Sequence, residues 1–179
     1  MRGIIQNKRR EMSKEDVKHF LEKARIAHVG TVGEEGFPYV IPLTYVYEGE
    51  EQLYLHIGNI RESHFWSNIK QNNKICIEVS EMGELFPGKK YACQSALAYA
   101  SVVVFGTVKH IEDDEKKEWF FDRLLEKYGN PEWQFEKGYP ALSKTELFAV
   151  KIEKATGKLN EAVAIKKTGR TSYLLQYIY

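Results

Sequence analysis

The sequence predicts a mainly-β fold of the α+β class: a six-stranded antiparallel barrel flanked by helices. Three observations predict it. Six runs rich in Val, Ile, Tyr and Phe are bounded by turn-forming residues. Most of these runs are joined by linkers too short for a parallel crossover, so neighbours pair antiparallel. Helical periodicity is confined to separate segments between groups of strands, unlike the strict alternation of a doubly wound α/β sheet. Closing the sheet into a barrel would also remove its exposed edges.

The elements follow in order. Ser13 begins the first helix, read over 13–25; Glu15 and Asp16 suit its electropositive first turn, and Asp16 stands at capping-box spacing. Val17, Phe20, Leu21 and Ala24 recur at helical spacing and form its apolar side. Residues 26–32 read as a strand, 33–36 as a hairpin turn, 37–47 as a second strand and, after a turn at Gly49, 52–57 as a third. Residues 61–71 turn helical, with Phe65, Trp66 and Ile69 on the apolar side, and Asn72-Asn73 ends them before a fourth strand over 74–80. Residues 81–97 are expected to be a long loop, a length usually tied to function or motion. A fifth strand spans 99–111. Asp113 or Asp114 then caps a helix to Tyr128 that turns Trp119, Phe120, Leu124 and Tyr128 inward. A second loop covers 129–144, and a sixth strand 146–153 alternates Phe148, Val150 and Ile152 with charged or small residues.

With 179 residues the chain is expected to be one domain over 1–179, with its core at about 10–158 and a C-terminal extension at 159–179. A domain of that size buries roughly 70% of its unfolded surface and needs no covalent staples. Net charge is +1, from 26 basic and 25 acidic side chains, a balance that argues against a general nucleic-acid binder. Cys76 and Cys93 form neither a CxxC pair nor a zinc spacing. Cys76 falls in an apolar run and reads as a buried thiol, Cys93 in a polar loop. Two unpaired thiols suit a reducing cytosol. The N-terminus has basic residues but no apolar core of a signal peptide, and no run approaches the ~18 apolar residues of a membrane span. A cytoplasmic protein with neither nucleic-acid nor membrane partner is expected. The apolar end, 173–179, is expected to dock on the barrel or on a partner chain.

Several chemistries are excluded. Pro87-Gly88-Lys89-Lys90 lacks the rest of a phosphate-binding P-loop, and Gly30, Gly33 and Gly36 open no helix, so they form no dinucleotide fingerprint. There is no GxSxG elbow, and His19, His28, His56, His64 and His110 show no paired metal-ligand spacing.

Three stretches carry chemistry. In 37–45, Pro38 and Pro42 cannot both sit in a central strand, because each lacks the ladder donor. The strand is therefore bulged or lies at an edge. It is either an edge blunted by proline or a strand whose open backbone groups meet a flat, polar-edged heterocycle. In 59–64, Arg61, Ser63 and His64 precede a helix, whose N-terminus presents N–H groups and a positive dipole end. This is either a phosphate cradle or an ordinary serine cap beside a solvated arginine. The third stretch, 99–106, is core strand, with Ser101 as a satisfied hydroxyl.

Taken in order, GFPYVIPLTYVYEGEEQLYLHIG, SHFWSNIKQNNKICIEV and YASVVVFGTV resemble the FMN-binding split β-barrel superfamily of pyridoxamine-phosphate-oxidase-like proteins, and within it the nitroimidazole-resistance branch. Ala155-Thr156-Gly157-Lys158 after the last strand adds to the resemblance, which covers roughly 10–165. It implies that Ile41, Pro42, Leu43 and Thr44 line the isoalloxazine ring of FMN, largely through backbone groups. It implies that His56, Gly58, Asn59, Arg61, Ser63 and His64 approach the ribityl phosphate and that Ser101 contacts the flavin. It also implies a homodimer with the cofactor between subunits, and a flavin-dependent oxidoreductase acting on a small reducible molecule such as a nitroaromatic, with NAD(P)H as a plausible reductant. The alternative on the same barrel is a non-catalytic binder of flavin or haem, with His28, His56, His64 or His110 as axial ligand. The sequence departs from the pattern in three places. Phe65 stands where many relatives carry a basic residue, the 56–64 segment is about two residues longer, and the tail lacks the Trp and Arg pattern of true pyridoxamine-phosphate oxidases.

Overall fold

A computed structural model of the chain describes residues 3–49, 51–58 and 62–160. Three helices and one seven-stranded sheet make up its regular structure: α1 (Lys14–Lys23), β1 (Ala27–Val32), β2 (Pro38–Leu43), β3 (Tyr45–Gly49), β4 (Gln52–Gly58), α2 (His64–Gln71), β5 (Lys74–Phe86), β6 (Ala96–Ile111), α3 (Asp114–Tyr128) and β7 (Thr145–Asn160). Hydrogen-bonded neighbours run β2-β1-β5-β6-β7-β4-β3. The sheet has seven strands rather than the expected six, and it is not closed: β2 and β3 are its edges.

The extra strand comes from the run 37–47, which divides at Thr44. β2 pairs antiparallel with β1 from Val32↔Pro38 to Ala27↔Leu43, and there β1 begins, so the run has no further partner on that side. Tyr45 instead pairs with Leu55 of β4, and the Tyr128 hydroxyl brackets its backbone, accepting from its N–H at 3.1 Å and donating to its carbonyl at 3.0 Å.

The chain clusters into two compact units. One comprises the described residues up to 24, 78–104 and those from 154 on; the other comprises 25–77 and 105–153. In the first, Ser13 and Asp16 form the expected capping box, and α1 buries Val17, Phe20 and Leu21. The loop expected over 81–97 is shorter, because β5 continues to Phe86 and β6 begins at Ala96. β7 likewise runs to Asn160, so Ala155-Thr156-Gly157-Lys158 lies within the strand rather than after it. Gly157 is required there. Its carbonyl accepts from Met12 N–H at 2.9 Å, and an added Cβ would meet Met12 Sδ at 2.6 Å.

In the second unit β4 and β7 pair from Gln52↔Lys151 to Gly58↔Thr145, which divides their side chains between two faces. One face carries Tyr54 and Leu147 and packs with Val46 against Phe120, Trp119 and Leu124 of α3. The other carries Leu53, Leu55, Phe148 and Val150, and α2 covers it through Phe65 and Trp66. Cys76 is half-buried rather than buried, and Cys93 is exposed. No described helix is long and apolar enough to cross a membrane.

Candidate functional site

Pro38 and Pro42 do lie on an edge strand. Proline has no N–H to give, so both suit positions where an antiparallel ladder makes no bond toward its partner. Val40, two residues from each, shares that phase, so its N–H and C=O face the open side of β2. The outward face there is apolar and exposed: Val40 is 59% exposed and Val32, paired across from Pro38, 38%.

The tip of α2 is brought to this strand. Ser63 caps the helix, its Oγ accepting from Trp66 N–H at 3.2 Å. The N–H groups of His64 and Phe65, in the first turn, have no intrahelical acceptor. The His64 ring stacks on Tyr39 of β2, with centroids 4.3 Å apart and planes 25° from parallel. Farther along the helix, Asn68 donates to Thr31 Oγ1 of β1 at 3.0 Å and is 2% exposed. A ring stack and a buried hydrogen bond therefore hold α2 across the β1–β2 hairpin.

The expected site residues divide as follows. Ile41, Pro42 and Leu43 lie in β2, with Ile41 and Leu43 half-buried and Pro42 exposed, and Thr44 is the exposed residue linking β2 to β3. Gly58 ends β4, and Ser63 and His64 start α2. Asn59 and Arg61 lie outside the described residues. Ser101 is in the middle of β6, in the other compact unit, with its side chain phased opposite the buried Ala100 and Val102. The His56 side chain goes elsewhere than expected. It lies on the α3 face of β4, 5.3 Å from Phe120 and 5.8 Å from Phe121, opposite the face that α2 covers. Its Nδ1 is buried without a hydrogen-bond partner, and burial holds the imidazole pKa below its ordinary 6.5.

Phe65 is not a surface position that has lost a cation. It is 1% exposed and packs edge-on against Phe148, with centroids 5.5 Å apart. One cluster was not singled out from the sequence. His110 Nε2 lies 2.7 Å from Glu146 Oε2, Glu146 is 2% exposed, and the His110 ring meets Trp66 at 4.8 Å and Phe148 at 5.4 Å. A signal was available, since Glu146 shares the period-two phase of Phe148 and Val150. Among the described residues no group of His, Cys, Asp and Glu could hold a metal ion.

The family model described as pyridoxamine 5'-phosphate oxidase matches residues 13–159. A search of curated proteins finds no match. Among solved structures, a candidate 5-nitroimidazole antibiotic resistance protein from Bacteroides thetaiotaomicron is 29% identical, with a TM-score of 0.69 over 83% of this chain and 85% of that one. The flavocytochrome Anf3 of Azotobacter vinelandii is 18% identical, with a TM-score of 0.73 over 94% of this chain and 80% of that one. An FAD and haem binding protein of Mycobacterium smegmatis is 19% identical, with a TM-score of 0.68 over 91% and 82%. These last two share the fold. By the extent of the family match, the chain belongs to the pyridoxamine 5'-phosphate oxidase family of split-barrel proteins.

Proposed function

We propose that this chain is a flavoprotein that holds FMN between the open edge of β2 and the first turn of α2, at a homodimer interface. The flavin would pass electrons to a small reducible molecule such as a nitroaromatic. The observation that carries this reading is the Tyr39–His64 stack, which sets a helix tip rich in donors against a strand with an unpaired edge.

The residues present fit such a group. A phosphate needs donors, and the first turn of α2 offers backbone N–H groups, the positive end of the helix dipole and the His64 ring. The Ser63 hydroxyl accepts from Trp66 N–H and keeps its own hydrogen to donate. A planar heterocycle with donors and acceptors on its edge matches Val40 N–H and C=O, with Pro42 C=O beside them. Fixing ring and phosphate at once sets the orientation of the exposed ring face, where a flat substrate would stack. When bound, FMN supplies the electron chemistry itself. The exposed apolar strip of Val32 and Val40 is the surface a second copy would cover.

The test is the visible spectrum of the purified protein, before and after reconstitution with FMN, with the released chromophore identified after denaturation. A flavin spectrum, reduction by anaerobic NADH or NADPH, and reoxidation by a nitroaromatic are expected. A Soret band with no flavin would move the assignment to haem, in keeping with the names of two structural neighbours and with the exposed His28 and His64. A colourless protein that takes up neither would end it.

A further inference from the structure

We propose that a second cleft, between the β1–β2 turn and α2, is a binding site for a compact organic cation, a ligand of opposite charge to FMN. His64, Ser67, Asn68 and Gln71 follow at i, i+3, i+4 and i+7, so they form one polar stripe along α2. That stripe faces Glu34, Glu35 and Phe37, and the two together border a half-open hollow of about 210 Å³. The wall is fixed. Asn68 is anchored on Thr31, and its Oδ1 presses on the turn so closely that a Cβ on Gly33 would lie 2.2 Å away.

The size sets the class of ligand. Pockets for drug-sized ligands run to roughly 300–1,000 Å³, so a flavin or a nicotinamide dinucleotide is too large for this one. The charge sets its sign. Among the described residues that line the cavity there is no lysine or arginine, and there are two glutamates, Glu34 and Glu35. An ammonium finds acceptors in the side chains of Glu34, Glu35, Gln71 and Ser67. Phe37 and His64 complete the lining, and the face of a phenylalanine ring attracts a cation within about 6 Å. A primary or quaternary ammonium on a small apolar body satisfies all three features. This site does not depend on the flavin reading, though His64 borders both clefts.

The test is isothermal titration of the full chain with benzylamine, benzyl alcohol and benzoate, which share a shape and differ in charge. Benzylamine is expected to bind, more weakly as salt is raised, while the alcohol and the carboxylate do not. Glu34→Gln with Glu35→Gln should weaken benzylamine at least about fivefold, the scale of losing two partly solvated ion pairs, and leave FMN uptake unchanged. Ser67→Phe, which fills the cavity from an exposed helix position, should abolish binding without shifting thermal unfolding. Benzoate binding as well as benzylamine, no benzylamine binding to the folded chain, or full affinity in the double variant would overturn the proposal.

Discussion

Phe65 is the residue at which family pattern and physical environment disagree, and Phe65→Lys separates them. If the phenylalanine marks a degenerate phosphate site, restoring the basic residue should strengthen anion binding at little structural cost. The packing argues otherwise. The ring is 1% exposed, its edge meets Phe148 at 5.5 Å, and Phe148 is also fully buried. Truncating such a ring to alanine costs about 3–5 kcal/mol from lost transfer energy and the cavity left behind. Lysine refills part of the volume with its methylenes, but its ammonium must either desolvate or drag the stem toward solvent. A loss of at least about 3 kcal/mol follows. In a domain of this size that lowers Tm by roughly 6–12 °C, against a total stability of only about 5–15 kcal/mol. Phe65→Leu, which stays apolar and leaves only a small cavity, should cost clearly less than the lysine. Urea denaturation of the three proteins at one pH measures all of this. A Phe65→Lys protein that keeps the parental midpoint and binds FMN more tightly would refute the argument.

Two further perturbations test the interior. His110→Ala removes a partner of a nearly buried carboxylate and should cost about 1–3 kcal/mol, while Glu146→Gln, which keeps a hydrogen bond to the ring, should cost clearly less; denaturant midpoints rank them, and equal values would mean the pair is immaterial. His56 has a folded-state pKa below 6.5, so the unfolded chain takes up its proton first. Stability is therefore independent of this group above about pH 6.5 and falls as pH drops below it. Replacing it with leucine should flatten that acid limb in Tm measurements between about pH 8 and pH 5, and an unchanged slope would contradict its buried placement.

What was legible in the sequence was the information that lies close along the chain. Ser13 and Asp16 are three residues apart, and the capping box they form needs no tertiary contact. Two prolines in one apolar run suffice to demand a bulge or an edge, and β2 is an edge. The features that escaped depend on distant partners. Nothing within 37–47 marks Thr44 as a break, because the break is imposed where β1 runs out of residues and Tyr128 takes hold of the Tyr45 backbone. Ala155-Thr156-Gly157-Lys158 reads as lying after the last strand until Met12 and Val17 are seen pressed against Gly157. The resemblance implies a phosphate role for His56, but its pairing with Leu147 decides the face it joins. Of the site itself, the open strand and the capped helix were visible separately, their nearness followed from the family resemblance alone, and the Tyr39–His64 stack that joins them was not visible.

That meeting is tested most directly by titrating FMN into the purified protein and following the quenching of flavin fluorescence, for the parental chain, His64→Ala and Thr44→Ala. A charge-assisted hydrogen bond contributes about 1.5–3 kcal/mol, so His64→Ala should raise Kd roughly ten- to a hundredfold. Thr44, exposed at the end of β2 and offering its backbone, should change Kd by less than about threefold when replaced by alanine. Parental protein that fails to bind FMN, or His64→Ala protein that binds it equally well, would contradict a flavin seated between β2 and α2.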